Sequence, residues 1–476
     1  MAAGSIPAGG TIPHVSLKYL LLIVAAAVIV YGQSLRNPFV IWDDDTLVYG
    51  NPVVQEFSVT KAFTSYDPEL YIPLTLLTYQ IEYAIAGATP LLYHVTNLLL
   101  FMGCGVLIFL LCRQWSGNAW IATALSLLFI VHPINTEAVA WVSARKDLLA
   151  GFFGLAAMLL WRYNRWLSLT AFLLALFSKS SVIPLPLVLL LLDWAEGRDI
   201  KVFAKKLLPL FGLSILFTII ALLGKTKNIG SLTVVQTMLL SAKSFVTALA
   251  KYLWPFDLSS IYHQAGTIGW SSEFLIALGI CVALLIAIFL SLRRTKIIAI
   301  SAAIFILMLA PSFANFWKDG ELHYFSDRYI LLAQLGIFFL MAKYARVILT
   351  RTLQKIVAGV FAVLLIPFGF TAHARAHLWG SSEALFRDAL KKNDRSALLH
   401  FNLGVLEHRR GNLEAAFGAY QKTLRLDPRF AKAYANIGAM LLDAGKTNEA
   451  IVQFRAALEI DPTLEATRKN LEKALF

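Results

Sequence analysis

The chain has 476 residues, of which 58% are apolar and only 15% are charged. This balance excludes an ordinary soluble globular protein and indicates that most of the chain is embedded in a membrane. The formal net charge of +13 comes from small basic clusters between apolar runs, which is typical of cytoplasmic loops and argues against nucleic-acid binding.

Apolar runs in the first 370 residues predict about eleven membrane-spanning helices, because a hydrocarbon core of about 30 Å needs a long apolar segment. The predicted spans are 17–35, 91–113, 118–133, 147–163, 166–179, 182–194, 207–224, 274–292, 297–311, 329–345 and 354–370. The runs 166–179 and 182–194 are short, so a re-entrant pair is the alternative there. The first run lacks a cleavage signature and is interpreted as a retained helix.

The loops between these spans predict an orientation. If the N-terminus is cytoplasmic, the basic connections face the cytoplasm and nearly all acidic residues of this half lie on the opposite side. Three outer segments are long or polar, 36–90, 225–273 and 312–328, and the run from Pro73 to Ala86 predicts a helix at the membrane interface. Long structured loops on one face indicate that the function lies on the outer, non-cytoplasmic face.

The C-terminal part, residues 371–476, is more polar and repeats itself with a period of 34. Seven residues recur at that distance: Asn402, Gly404, Gly411, Ala416, Tyr420, Leu424 and Pro428 return as Asn436, Gly438, Gly445, Ala450, Phe454, Leu458 and Pro462. The pattern resembles the tetratricopeptide repeat, in which small residues let two antiparallel helices pack closely. About two and a half repeats and a capping helix are expected to form an α-solenoid after a membrane domain of residues 1–370. Asn402 and Asn436 are predicted to contact a partner polypeptide.

Three adjacent carboxylates, Asp43, Asp44 and Asp45, follow the first span directly after Trp42. Crowding like charges near the membrane surface raises the proton affinity of at least one of them, which suits a general base. The alternative is an ordinary helix N-cap with a charged first turn, since an Asp before Thr46 serves that role well. These residues alone favour neither interpretation.

A second polar cluster, between the third and fourth spans, begins with His132 and Glu137 and ends with Arg145, Lys146 and Asp147. The spacing of His132 and Glu137, with a proline between them, does not fit a zinc-binding helix. Arg145 and Lys146 are predicted to bind phosphate, because a guanidinium fork and an ammonium both hold phosphoryl oxygens. Ordinary snorkelling of both side chains to the interface is the alternative.

The segment before the tenth span contains His323, Asp327, Arg328 and Tyr329. Arg328, expected to pair with Asp327, is placed to neutralise the phosphate of a lipid whose chain lies along the bilayer, or else to anchor the helix among the headgroups. Lys179 lies between two apolar runs, where a charge is costly unless it faces such a lipid phosphate or snorkels outward.

The combination of motifs resembles a known family. Its parts are Trp42-Asp43-Asp44 after the first span, Tyr71-Ile72-Pro73-Leu74-Thr75 before the interfacial helix, Tyr93-His94-Val95-Thr96-Asn97 opening the second span, and the block from His132 to Asp147. With the repeats, they resemble the transmembrane and tetratricopeptide-repeat O-mannosyltransferase family of the GT-C superfamily. The resemblance implies the all-α GT-C fold, a polyprenyl-phosphate-linked sugar donor, inversion at the anomeric carbon, and an acidic residue of the first outer loop as the base.

On that basis the chain is expected to transfer mannose or another hexose from polyprenyl phosphate to a Ser or Thr hydroxyl of a protein on the extracytoplasmic face. Asp43 or Asp44 would act as the base. The predicted phosphate ligands are Arg145, Lys146, Lys179 and Arg328. The residues expected to support the site are Asp45, His132, Glu137, Asp147, His323, Asp327 and Tyr329. A divalent metal is compatible with this chemistry, but no motif indicates a metal or another cofactor.

The expected location is a bacterial inner membrane with the repeats in the periplasm, and an endoplasmic reticulum membrane is the alternative. Three other functions stay open. The first is a non-enzymatic membrane scaffold that gathers partners through its repeats, and the second is a GT-C enzyme that modifies a lipid or a glycan. The third, a transporter of lipid-linked sugars, is disfavoured because the predicted spans are nearly free of buried charge.

Overall fold

The computed structural model describes residues 16–67, 69–224, 232–318, 321–348 and 351–475. The chain divides into two compact units, the first made of residues 1–258, 268–315 and 325–380 and the second of residues 259–267, 316–324 and 381–476. Residues 225–231 and 319–320, which belong to two of the predicted outer segments, lie outside the described residues.

The first unit is built of helices. In chain order they are α1 (Leu17–Tyr31), α2 (Pro52–Gln55), α3 (Val59–Thr64), α4 (Pro73–Ala86), α5 (Pro90–Ser116), α6 (Ala119–Val131), α7 (Thr136–Ala140), α8 (Arg145–Leu160), α9 (Arg165–Ser178), α10 (Leu185–Ala195), α11 (Ile200–Gly224), α12 (Val234–Leu253), α13 (Ser272–Ser291), α14 (Ile297–Leu309), α15 (Ile330–Ala333), α16 (Leu335–Ile348) and α17 (Arg351–Leu378). Helices α4 and α5 each begin at a proline, whose missing N–H would have no helical partner there anyway. The predicted all-α class and the predicted helix Pro73–Ala86 are confirmed.

Several of these helices are long and apolar enough to cross a membrane. Five qualify within the described residues: Leu17–Arg36, Pro90–Ser116, Ile200–Gly224, Ser272–Ser291 and Ile297–Ala314. Two bent helix pairs, Ala119–Val131 with Pro133–Ala140 and Asp327–Ala333 with Leu335–Ala345, bring the number to seven if each pair is one span. The chain is therefore a membrane protein, and the count of eleven spans stays a prediction.

Helix α13 illustrates why a membrane is needed. Of its twenty residues, Phe274 and Ala277 are buried inside the protein, whereas large apolar side chains such as Ile276, Leu285 and Phe289 are exposed. So much apolar surface is unfavourable in water but is matched by lipid chains.

The break after α6 follows from the sequence. Pro133 has no N–H to donate and its ring clashes with the preceding turn, so the helix ends at Val131. The chain resumes as a helix at an angle of 53°. The break sets the direction of the segment that carries Glu137 and, after it, residues 141–147.

The predicted first outer loop, residues 36–90, has its own apolar core. Leu47, Val48 and Val54 pack in one cluster with Leu76 and Tyr79 of α4. Burial of these side chains fixes the loop against α4, and with it the three carboxylates at residues 43–45. The first unit ends at residue 380, shortly after α17 ends at Leu378, and the predicted domain boundary at residue 370 stays a prediction.

The second unit combines helical repeats with a small sheet. Its helices are α18 (Ser382–Lys392), α19 (Ala397–Arg409), α20 (Leu413–Leu426), α21 (Ala431–Asp443), α22 (Thr447–Ile460) and α23 (Glu465–Leu475). The strands are β1 (Tyr262–His263), β2 (Trp317–Lys318) and β3 (Glu321–Phe325), in the order β1-β3-β2. Strands β2 and β3 are antiparallel, with Trp317 opposite Leu322 and Lys318 opposite Glu321. The sequence did not predict this sheet.

Close packing inside each repeat depends on glycine. A Cβ added to Gly438 in α21 would lie 2.7 Å from the Phe454 ring of α22, whereas one added to Gly418 in α20 would have nothing within 4 Å. We expect Gly438→Ala to destabilise the repeat unit by about 1–3 kcal/mol, the usual range for overpacking. Gly418→Ala is the matched control and should be neutral or stabilising, since alanine favours a helix by about 1 kcal/mol over glycine.

These two variants are to be compared by limited proteolysis of the full chain in detergent during a thermal ramp, following fragments of the repeat unit. Equal midpoints for Gly438→Ala and Gly418→Ala would contradict the packing explanation.

Candidate functional site

The site is organised around residues 141–147, which comprise the link between α7 and α8 and the first turn of α8. Two side chains hold its backbone: Tyr79 Oη donates to the Val142 carbonyl at 2.8 Å, and Asn97 Nδ2 donates to the Trp141 carbonyl at 3.0 Å. Because α4 and α5 supply these donors, two separate helices fix the segment. Its residues therefore have well-defined positions.

Asp44 joins the first outer loop to this segment. Its carboxylate accepts from the Val40 N–H at 3.0 Å, from the Ser143 N–H at 3.0 Å and from Ser143 Oγ at 2.5 Å. The side chain is 1% exposed, and this burial raises the pKa of Asp44 to about 6, although its hydrogen bonds oppose the rise. Asp44 stands before the π-helical turn Asp45–Tyr49 but makes no side-chain cap to it. For Asp44 the N-cap interpretation is therefore wrong.

Asp43 and Asp45 lie on either side of Asp44 and are both partly exposed. The Asp43 carboxylate is close enough to Lys146 for electrostatic attraction. Lys146 is 5% exposed, its Nζ donates to the Ser143 carbonyl at 2.8 Å, and it stands 5.4 Å from the centre of the Trp141 ring. Residue 43 thus presents a partly exposed carboxylate within electrostatic range of a buried ammonium.

A second group of charges centres on Asp147. Lys179 Nζ donates to Asp147 Oδ1 at 2.6 Å, and Arg328 Nε lies 3.7 Å from Asp147 Oδ2. Among the described residues, neither Asp147 Oδ2 nor Arg328 Nε has a hydrogen-bond partner. Arg328 also pairs with Glu137, through both its guanidinium and its backbone N–H. Lys179 therefore has an anionic partner within the protein, and its contact with a lipid phosphate stays a prediction.

The charges around Asp147 border a pocket of mixed character. One part of the lining is polar, and it includes Asp147, Lys179, Ser180, Ser181, Asn315, Arg328 and Tyr329. Another part is apolar, and it includes Leu70, Met308, Pro311, Leu331 and Leu332. Lys179 and Arg328 also stand over the Tyr329 ring, at 5.6 and 5.0 Å from its centre. A ligand with an anionic head and an apolar chain has complementary surfaces in such a pocket.

Arg145 does not join this pocket, which corrects its predicted role as a phosphate ligand. The guanidinium is fully buried, with Nη1 donating to both oxygens of Glu82 at 3.0 Å, Nη2 to the Tyr93 carbonyl at 2.7 Å and Nε to Asn97. Every nitrogen of the fork is used within the protein, so Arg145 ties α8 to α4 and α5 instead.

The predicted pair of Asp327 with Arg328 is also wrong. Arg328 contacts Glu137 and Asp147, while Asp327 is paired with Arg375 at 3.4 Å. The two residues lie in one 3-10 turn, in which neighbouring side chains point in different directions.

His132 has structural contacts. Its ring stacks on Tyr252 at 4.4 Å between centres, meets Phe368 at 5.0 Å, and its Nε2 lies 3.0 Å from the Tyr252 carbonyl. At 1% exposure it is part of the core. These contacts do not support a role in the charged cluster.

The remaining predicted residues lie in the second unit. His323 is on β3 beside Glu321, with its Nε2 3.4 Å from Glu321 Oε2. Asn436 donates to Tyr420 Oη at 3.1 Å and so takes part in packing between repeats. Asn402 is partly buried on α19. Contact of Asn402 and Asn436 with a partner stays a prediction.

Comparisons with known proteins agree with the repeats and with the resemblance. Two family models, both described as tetratricopeptide repeat, match residues 370–429 and 431–464. The human protein O-mannosyl-transferase TMTC3 is 24% identical over 96% of this chain and 56% of that protein. The human protein O-mannosyl-transferase TMTC1 is 32% identical over 30% of this chain and 18% of that protein. The chain spans little more than half the length of the first of these relatives.

Among solved structures, the chain aligns with ArnT from Cupriavidus metallidurans bound to undecaprenyl phosphate. The identity is 17%, the TM-score is 0.41, and the alignment covers 90% of this chain and 80% of that one.

Proposed function

We propose that this chain is a membrane glycosyltransferase that transfers mannose or another hexose from a polyprenyl-phosphate carrier to Ser or Thr hydroxyls of proteins on the extracytoplasmic face, with inversion. The observation that carries the proposal is one cluster in the first unit. It holds a partly exposed carboxylate, Asp43, beside buried Lys146, together with a pocket whose lining includes two cations and several apolar side chains. The names of the similar human proteins agree with it.

Positively and negatively charged side chains have separate roles in this reaction. A glycosyl transition state develops positive charge on the sugar ring and negative charge on the leaving phosphate. In our proposal Lys179 and Arg328 hold the phosphate, and the lipid chain follows the apolar side of the pocket. Their partner Asp147 keeps both cations in place before the donor arrives. Arg328 Nε can then donate to a phosphate oxygen.

Asp43 is our proposed base, because Asp44 is unsuited to the task. Both oxygens of Asp44 already accept hydrogen bonds and its side chain is buried. Asp43 is partly exposed and can approach an acceptor hydroxyl. Asp44 is then a positioning residue that fixes Asp43 relative to Lys146 by binding Ser143.

The direct test uses membranes from cells with and without this chain, supplied in parallel with polyprenyl-phosphate mannose and with other polyprenyl-phosphate hexoses, each labelled in the sugar. Label should move from lipid to protein only with the chain present, and mild alkali should release it by β-elimination, as expected for a sugar on Ser or Thr. Absence of protein label would contradict the proposal, and label in lipid or glycan alone would contradict the acceptor class.

The raised pKa of Asp44 predicts an acid limb in this assay. Below about pH 6 the carboxylate gains a proton, one oxygen becomes a donor facing an N–H or hydroxyl donor, and transfer should fall. Ser143→Ala removes a hydrogen bond that favours the charged form, so the pKa should rise and the limb should move to higher pH. The shift should be about one to two pH units, since a hydrogen bond to a charged group contributes about 1.5–3 kcal/mol and one pKa unit corresponds to about 1.4 kcal/mol.

Thr64→Ala is the control for this pH profile, because Thr64 is exposed on the same loop and bonds the Thr60 carbonyl. An acid limb that stays in place in Ser143→Ala would show that Asp44 does not set it.

A further inference from the structure

Three side chains with metal-binding chemistry meet in the second unit. His263 lies on β1, and Glu321 and His323 lie on β3, the neighbouring strand. Glu321 and His323 are two residues apart, so a strand directs both to one face. His263 Nδ1, Glu321 Oε2 and His323 Nε2 all lie within 4.8 Å of one another.

The distances fit ligands around one ion. Glu321 Oε2 is 3.3 Å from His263 Nδ1 and 3.4 Å from His323 Nε2. A tetrahedral zinc with bonds of about 2.0–2.1 Å separates its ligand atoms by about 3.3 Å. A direct N–H···O hydrogen bond is usually shorter, about 2.9 Å.

The surroundings hold the carboxylate in place. Ser396 Oγ donates to Glu321 Oε2 at 2.8 Å, and the Leu398 N–H donates to Glu321 Oε1 at 2.9 Å. Such hydrogen bonds to a ligating carboxylate are typical of metal sites. Without an ion, Oε2 would have to accommodate Ser396 and two imidazole nitrogens at once, although an oxygen offers about two lone pairs.

We propose that His263, Glu321 and His323 bind one divalent transition-metal ion of the zinc class, with water as a fourth ligand. Two imidazoles and one carboxylate match zinc, whereas calcium and magnesium prefer an all-oxygen set. Through Ser396 and Leu398 the ion fastens β1 and β3 to the first turn of α19. This site is independent of the proposed transfer activity.

The test is the metal content of the full chain in detergent, with any affinity tag removed, after equilibration with zinc chloride and desalting. Mass spectrometry of the metal should find about one zinc per wild-type chain, and the content should be lost in His263→Gln and in His323→Gln. His408→Gln is the matched control, because His408 lies in α19, where it contacts the Tyr420 ring. It should keep the wild-type content.

A second measurement avoids the risk that a variant fails to fold. Cobalt bound to the unmodified chain should give the visible absorption of a tetrahedral site, and added zinc should abolish that absorption. Wild-type chain that takes up neither metal would overturn the proposal, as would His263→Gln and His323→Gln variants that elute as the wild type does and still hold one zinc.

Discussion

Replacing Asp43 with asparagine is expected to lower sugar transfer from a polyprenyl-phosphate donor by about a hundredfold to ten-thousandfold, the usual cost of losing a well-placed general base. Asparagine keeps the shape of the side chain but cannot accept the proton of an attacking hydroxyl. The substitution leaves the Asp44–Ser143 contact, which holds the loop, unchanged. The measurement is the initial rate of sugar transfer in membranes at saturating donor, normalised to the amount of the chain determined by immunoblot.

Glu56→Gln is the matched control for Asp43→Asn. Glu56 lies on the same outer loop, is 62% exposed and pairs with Lys61 at the surface, so its variant should transfer sugar at the wild-type rate. If the Asp43→Asn rate equals that of Glu56→Gln, Asp43 is not the base. A loss of transfer with unchanged donor hydrolysis would instead place Asp43 in acceptor binding.

The repeats are the part of the fold that the sequence predicted most fully. A period of 34 with Gly404 and Gly438 in equivalent places allows few other packings, because each glycine faces a ring across its helix pair. The predicted helices appear, and both family models match them. Local packing rules were therefore sufficient to predict the helices of the repeats.

The sequence predicted which residues form the charged cluster, but not which of them pair with one another. Lys179, Arg328 and Asp147 were all expected near the site, and the structure brings them together. Their partners could not be read from the sequence, because the contact between Arg328 and Glu137 joins residues 191 positions apart. Ser143 was missed for the same reason, since hydroxyls are frequent and its acceptor, Asp44, is 99 positions away.

Part of the histidine–glutamate cluster in the second unit could be recognised from the sequence. Glu321-Leu322-His323 places two ligand types at alternate positions, which in a strand share one face, but no strand was expected in a chain read as all-α. The sequence therefore offered His132 and Glu137, and not this cluster, as the pair to weigh for a metal site. His263, 58 positions before Glu321, could not have been connected to it without the sheet.

Breaking the buried pair of Arg145 and Glu82 is expected to cause a large loss of stability. Arg145→Met would leave the Glu82 carboxylate, 6% exposed, without its cation, and removing one partner of a buried pair typically costs about 3–5 kcal/mol. Glu82→Leu should cost a similar amount. The double variant Arg145→Met/Glu82→Leu should recover much of the loss, since replacing a whole buried pair with apolar groups is often near neutral.

Recovery should be incomplete, because Asn97 and the Tyr93 carbonyl also lose the donors that Arg145 supplies. The measurement is the thermal midpoint in detergent, from the fraction of chain that still elutes as a single species after heating. The surface pair of Lys61 and Glu56 is the control, and breaking it should change stability by less than about 1 kcal/mol. If the losses in the two single variants simply add in the double variant, the two charges are not coupled.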